Sequence, residues 1–400
     1  MGKTAEIEFT WPKGFYSDGL HSGLRKKRLD LGWFFSEVPA SAAGVYTTNK
    51  FCAAPTALTK KTIALKQQLQ GIVVNSAIAN SCTGAQGQQD ALTEQLLMAK
   101  KLEVKPELIG VASTGVIGET LPMEKIKNGI NKLQKTQNAK ITEAILTTDT
   151  HPKTISIQFE QAGKLCTMSG FCKGSGMIHP KMATMLGFVV TDAKVSGSML
   201  QEMLSNEVET TFNQITVDGD TSTNDMVVTL ANGQALGQQI PELIKDTEDY
   251  QVFKEVYHQV LSQLAQEIAR DGEGATKLVE ANVLGAKTKV DAQQVAKAIV
   301  GSSLVKTAVF GGDANWGRII AAIGITAADI NVDTVDIYFD DIPVVTQSLG
   351  TAFSEEKVAE ALSKDKVTIT VDLHNGDKKG QAWGCDLTYK YVQINASYRS

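Results

Sequence analysis

The chain has 400 residues, 42% apolar and 21% charged. That is ordinary globular composition in a length exceeding what one hydrophobic core usually serves, so two subdomains or a large layered sandwich are expected. The formal charge of −5 comes without a Lys/Arg stripe, and Arg25-Lys-Lys-Arg28 is short and reads as a solvated corner, which disfavours nucleic acid as a partner. The five cysteines (Cys52, Cys82, Cys166, Cys172, Cys385) lack Cys-x-x-Cys spacing and the five histidines are scattered. This fits free thiols in a reducing compartment and speaks against a metal site. No apolar run approaches the roughly 18–20 residues of a membrane span and the N-terminus has no apolar signal core, so no membrane role and a cytoplasmic location are expected.

In chain order, residues 71–75 read as a buried strand. Residues 88–102 read as a helix, with Ala91, Leu92, Leu96, Leu97 and Leu102 near helical period. A strand-like run, residues 108–112, leads into Thr114-Gly115, a turn that can aim a hydroxyl and backbone N–H groups at one point, the geometry that stabilises an oxyanion. Taken alone, a glycine-rich strand end is more often just a turn. Pro122 sits in the first turn of another helix, where its missing N–H does no harm. Residues 154–159 alternate like a half-buried strand.

Next comes Lys173-Gly-Ser-Gly-Met-Ile-His-Pro-Lys-Met-Ala-Thr184-Met-Leu-Gly, a glycine-rich approach to one threonine followed by an apolar run. Locally it reads as a loop entering a buried strand. It also has the make-up of a self-cleaving junction: a mid-chain threonine is a poor nucleophile, whereas an N-terminal one carries its own base. Free α-amines titrate at about 7.7–8.0, so a useful fraction is neutral near pH 7. Small Ala183 and flexible Gly174 and Gly176 would let the hydroxyl reach the preceding carbonyl.

Beyond it, residues 196–212 read as a helix, 226–230 as a strand, 241–270 as helical, 277–283 as a strand, 291–300 as a helix and 305–310 as a buried strand. The last third is rich in alternating β signals, with one helix near residues 354–362, and the tail from Tyr391 alternates like a strand almost to Ser400. No repeat is present. Residues 218–225 have some look of a calcium loop but lack its downstream glutamate, and read instead as a polar turn supporting a site. The pattern is α+β, or mixed α/β, with helices covering sheets.

Six motifs in order give the chain, from about Thr10 to its end, a resemblance to the ornithine acetyltransferase (bifunctional glutamate N-acetyltransferase) family. They are the Thr184 block, Thr114-Gly115, Thr147-Thr-Asp-Thr150, Asp271-Gly-Glu273-Gly-Ala-Thr-Lys277, Phe310-Gly-Gly-Asp-Ala-Asn-Trp-Gly-Arg318 and the Ile394-Asn395…Ser400 terminus. Ala314 stands where the family usually has proline, in a loop read as structural. The matching terminus implies a chain that is not truncated there. The resemblance implies an α-β-β-α sandwich similar to N-terminal-nucleophile hydrolases, with a smaller C-terminal α/β domain beginning near residues 271–290. It implies a precursor cut between Ala183 and Thr184 into an alpha fragment, residues 1–183, and a beta fragment. Residues 184–280 of the latter complete the sandwich and 281–400 form the C-terminal region, the two fragments assembling as α2β2.

The implied reaction moves acetyl from N-acetyl-ornithine to glutamate through an ester on Thr184, without a cofactor. Thr114 and Gly115 would form the oxyanion hole, and Lys173 would meet the substrate carboxylate as a point charge. Glu273 would meet the ornithine ammonium, and Thr147, Asn395 and Ser400 would complete the substrate contacts, with Thr147 favoured over Thr148 and Thr150 by spacing. Without the family, Lys173 reads as a solvated lysine, Glu273 as solvation of a helix end, and Asn395 and Ser400 as the finish of an edge strand. His179 is discounted as a base because an N-terminal threonine needs no imidazole. Acetyl-CoA as a second donor stays open, since no CoA signature is evident. An N-terminal-threonine aminopeptidase or amidohydrolase is the alternative, and a non-catalytic metabolite-binding protein a distant third.

Overall fold

The computed structural model describes residues 4–179 and 185–397. The calls on Ala183, Thr184 and Ser400 lie outside the described residues. One long strand, Leu31–Tyr46, organises the first half of the molecule. Its register with Gln68–Asn75 shifts between Phe35 and Ala40, around Pro39, which has no N–H to give a ladder. Before the bulge the strand pairs with Phe15–Leu20, on both sides of it with Gln68–Asn75, and after it with Met226–Ala231. The resulting nine-stranded sheet continues through Leu186–Thr191, Lys164–Lys173 and Lys153–Gln161 on one side and Ile109–Ser113 on the other.

The sheet packs its two leaves face to face. Phe34 of one leaf meets Phe171 and Phe188 of the other, ring centroids 5.4 and 5.0 Å apart. One apolar cluster holds Phe34, Ile72, Val74 and Ala112 together with Phe171, Leu186, Val190 and Leu230. Helices cover both outer faces, Gly84–Leu102 and Met123–Lys132 on one and Gly197–Glu207 and Glu248–Arg270 on the other. That is the expected α-β-β-α order. A second, six-stranded sheet (Leu349–Gly350, Ile342–Thr346, Asp336–Phe339, Lys366–Asp372, Leu278–Ala286, Lys378–Cys385) packs with its own helices around a separate core.

Glu248–Arg270 shows why these segments fold as they do. Phe253, Val256, Tyr257, Val260, Leu261, Leu264 and Ile268 recur at helical period and are buried. Thr247 accepts from the N–H of Tyr250, and Glu248 and Asp249 occupy the positive first turn. The helix therefore starts there and not at residue 241. The expected helix over 196–212 stops at Glu207 and continues as two short 3-10 turns, Val208–Thr210 and Phe212–Gln214. Pro122 is the N-cap of Met123–Lys132.

Two expected strands are helices. Residues 305–310 lie in the helix Ser303–Gly311, which the Ser302 hydroxyl caps and Gly312 ends at φ 67°; Val305, Ala308 and Val309 bury one helical face, a spacing that a short apolar run shares with a strand. The tail is the helix Tyr389–Ser397.

Candidate active site

Strand ends converge at one edge of the sandwich. Lys173 closes Lys164–Lys173 and pairs with Leu186, Leu186 pairs with Met226, and Met226 pairs with Tyr46. Nearby, Ile109–Ser113 runs out into Thr114. A cavity of about 190 Å³ opens there, lined by Thr114, Gly115, Thr147, Thr148, Lys173, Gly176, Met185, Asp218, Asn224, Asp225, Glu273, Tyr391 and Asn395 among others. Every sequence-selected site residue within the described part of the chain is on that lining. Thr150 is not, because its hydroxyl and N–H are turned to the Asp271 carboxylate.

Gly115 has φ +129°, and a Cβ there would strike the Ala77 carbonyl. The turn holds because Thr114 N donates to Asn75 O (3.0 Å) and Val116 N to Ala77 O (3.1 Å). Behind it the buried Asn224 amide bridges Ala79 O (2.6 Å) and Ser113 O (2.8 Å), which ties the turn to the residues preceding Met226–Ala231.

The cationic end rests on a buried network that the sequence reading missed. Lys153 Nζ lies 2.8 Å from Asp149 Oδ1 and 2.6 Å from Asp271 Oδ2, all three side chains essentially without solvent contact. Asp149 also accepts from Gly174 N (2.7 Å) and Thr147 N (2.9 Å). The threonine block, the glycine loop and the start of the Glu273 segment are thereby clamped to one ammonium. Burial would raise the Asp149 carboxyl, but the charges of Lys173 and Lys153 outweigh it and hold the group below the usual carboxylate range. Lys173 is itself buried, and among the described residues its ammonium has no hydrogen-bond partner. Burial pulls it below the ordinary lysine range, with Asp149 opposing. A buried ammonium without a fixed partner is suited to receive an anionic ligand group.

At the opposite wall Asn395 Nδ2 donates to Glu273 Oε2 at 2.6 Å. A Cβ at position 176 would collide with the Glu273 carboxylate, so Gly176 makes room for it. Ser175 and Asp271 to Glu273 are sewn together by Ser175 Oγ to Asp271 O (2.7 Å) and Glu273 N to Ser175 O (2.9 Å).

The 218–225 turn braces the same loop. Asp218 accepts from Met177 N (2.6 Å), Ile178 N (2.9 Å) and the Tyr391 hydroxyl (3.3 Å). His179 Nδ1 is bound to Thr216 Oγ1 at 2.9 Å. Lys26, Lys27 and Arg28 are exposed, as a solvated corner requires, while the half-buried Arg25 donates from its guanidinium to Leu146 O (2.7 Å) and Arg28 donates to Thr147 O (3.2 Å). Those carbonyls lie 119 or more positions away, a contact no local pattern signals. Among the described residues no group of three or more His, Cys, Asp or Glu could hold a metal ion, and no helix is long and apolar enough to cross a membrane.

Comparison with known proteins is consistent across the chain's length. An arginine biosynthesis bifunctional protein ArgJ of Lactiplantibacillus plantarum is 62% identical over 398 residues, covering 100% of this chain and 98% of that protein. Its counterpart in Streptococcus mutans is 53% identical over 390 residues, covering 97% and 98%. The crystal structure of an arginine biosynthesis bifunctional protein ArgJ from Bacillus halodurans matches at 52% identity and a TM-score of 0.52, covering 54% of this chain and all of the solved one. Residues 16–400 match the ArgJ family, and the chain belongs to that family.

Proposed function

We propose that this protein is a self-processing acetyltransferase of arginine biosynthesis that moves acetyl from N2-acetyl-L-ornithine to L-glutamate through an ester on Thr184. The observation that carries the reading is the convergence of Thr114, Gly115, Thr147, Lys173, Glu273 and Asn395, chosen as motifs from separate stretches of sequence, on one small cavity. Family membership and the bifunctional proteins it resembles support it.

In this reading the Thr184 hydroxyl attacks the acetyl carbonyl while its α-amine takes the proton. Thr114 and the Gly115 N–H receive the oxyanion. Lys173 binds the carboxylate common to donor and acceptor, and Glu273, steadied by Asn395, takes the ornithine side-chain ammonium, with Thr147 and Ser400 completing the contacts. Acetyl-CoA serves as an additional donor for glutamate in a bifunctional enzyme, and two alpha and two beta fragments form the assembly.

The test combines mass and kinetics. Intact mass should show fragments 1–183 and 184–400, and Thr184→Ala should be uncleaved and inactive while Thr184→Ser still cleaves. Initial rates at varied glutamate should give parallel lines across N-acetyl-ornithine concentrations, because one nucleophile serves both substrates in turn. Intersecting lines would sink the shared-pocket mechanism. Acetyl release to water with no transfer to glutamate would establish an amidohydrolase instead.

A further inference from the structure

We propose that the Asp225 carboxyl is the proton donor for breaking the Ala183–Thr184 peptide bond, a role that rests on the self-cleavage reading above. Asp225 is 3% exposed and lines the same cavity as Thr114 and Lys173. Among the described residues its Oδ2 has no hydrogen-bond partner, although such oxygens are rarely left unpaired when buried. The backbone around it is fixed. Thr47 N donates to Asp225 O at 3.0 Å, and the next residue, Met226, donates its N–H to Met185 O at 2.9 Å. With Leu186 and Met226 in parallel register, Asp225 stands beside the residue that follows Thr184 in the chain.

A carboxyl so placed holds its proton. Burial raises it well above the usual carboxylate range, and the hydrogen bonds from Ser222 and the charge of Lys173 offset this only in part. The Thr114, Gly115, Lys173 and Glu273 assignments leave the step in which the amide nitrogen departs without an acid, and Asp225 supplies one. Attack of the Thr184 hydroxyl on the Ala183 carbonyl carbon forms a C–O bond, and collapse of the adduct breaks the C–N bond. The carboxyl gives its proton to the departing nitrogen and takes the hydroxyl's proton, so it ends the acyl shift protonated as it began. Water then hydrolyses the ester to the Ala183 carboxylate and the free Thr184 hydroxyl, and no other reactant is consumed.

The experiment follows cleavage of full-length chain made by cell-free synthesis, using intact mass against time. A positioned acid contributes about a hundredfold or more, so Asp225→Asn, which keeps the shape but has no acidic proton, should cleave at least about a hundredfold more slowly. Asp225→Glu should recover part of that rate. Uncleaved Thr184→Ala is the folded reference for thermal unfolding of each variant. The wild-type rate should fall as pH rises through the Asp225 titration. Among the described residues the titratable groups on the neighbouring elements are Lys173, Cys52 and Tyr46, and Leu186–Thr191 brings none. In Lys173→Met the fall should move to higher pH, because that ammonium holds the Asp225 carboxyl down in part, and a profile that does not move overturns the proposal even if the Asn variant does not fold. A folded Asn variant cleaving at the wild-type rate, or a flat wild-type profile, overturns the proposal alone. A wild-type chain that never cleaves overturns it together with the self-cleavage reading.

Discussion

The sandwich and the C-terminal unit fill their interiors with different chemistry. Around the cavity the sandwich buries Asp149, Lys153, Lys173, Asp225, Asp271 and Glu273. The C-terminal core is almost wholly Val, Ile, Ala, Leu and Phe. Its buried charges have fixed partners: Glu280 meets Trp383 Nε1 at 2.9 Å and Lys366 at 2.8 Å, Asp336 meets Gln347 N and His374 Nε2 at 2.8 and 2.9 Å, Lys306 Nζ donates to Val217 O at 2.6 Å, and Asp386 accepts from Thr276 N at 2.8 Å. A stack of apolar side chains is stable without help. A cluster of buried charges is not, and it persists because Asp149 and Asp271 share the Lys153 ammonium, Asp149 also accepts from backbone N–H groups, Glu273 accepts from the Asn395 amide, and burial pushes the Asp225 carboxyl toward its neutral form. The first region is organised for chemistry; the second is a platform, from which the helix Tyr389–Ser397 leads Tyr391 and Asn395 back to the cavity.

Breaking the clamp should expose the contrast most strongly. Lys153→Met leaves Asp149 and Asp271 buried without their shared ammonium, and removing one partner from such a network costs about 3–5 kcal/mol. Denaturant unfolding measures it, and a loss under 1 kcal/mol would mean that water or the backbone already carries those carboxylates. Acid should attack the same point. Asp149 is held below its unfolded value, so its contribution is fully present above the unfolded carboxylate range, near about pH 4. It is lost as pH falls through the native value. In the Met variant the stability loss on acidification should be smaller, because less of that depression remains.

Thr114→Ala separates function from stability within the sandwich. Loss of one oxyanion donor costs on the order of 2.7–4 kcal/mol of transition-state stabilisation, or roughly a hundred- to a thousandfold in turnover. Substrate affinity should change far less, since the ground-state carbonyl bonds the same hydroxyl more weakly. Thr114 is half-buried at a turn held by backbone bonds, so the melting temperature should barely move. Wild-type turnover in fully processed Thr114→Ala protein would make Thr114 a turn residue only.

The two regions also differ in how much of them could be read from the sequence. The cavity-lining residues were legible because each sits in a local motif. The clamp beneath them was not, because Lys153 opens an alternating strand and looks like a solvated edge, while its partner Asp271 is 118 positions away. Asp225 was legible only as the last residue of a polar turn. The tail taught something else. Tyr391 and Asn395 are four residues apart, a spacing that puts both on one face of a strand or of a helix, so Asn395 lines the cavity although the expected strand is a helix. In the C-terminal unit the run 305–310 had no such redundancy, and period alone could not separate helix from strand.

The smallest effect tests the platform. Ile337 is fully buried on Asp336–Phe339, paired with Val345 and Val371 inside the C-terminal core. Ile337→Val removes one methylene and should cost about 0.5–1.5 kcal/mol of stability. Turnover should be unchanged at temperatures where the protein is folded, because this core reaches the cavity through Lys306 Nζ, which donates to Val217 O at 2.6 Å, through the segment joining Glu273 to Leu278–Ala286, and through the chain's end. There Thr388 Oγ1 donates to Gly274 O at 2.7 Å, and Tyr391 and Asn395 meet Asp218 and Glu273. None of those contacts involves the strand that carries Ile337. Parallel measurements of unfolding and initial rate decide the matter. If turnover or the KM for glutamate shifts in step with the lost stability, the C-terminal core positions the tail through its packing, and its separation from the chemistry is not real.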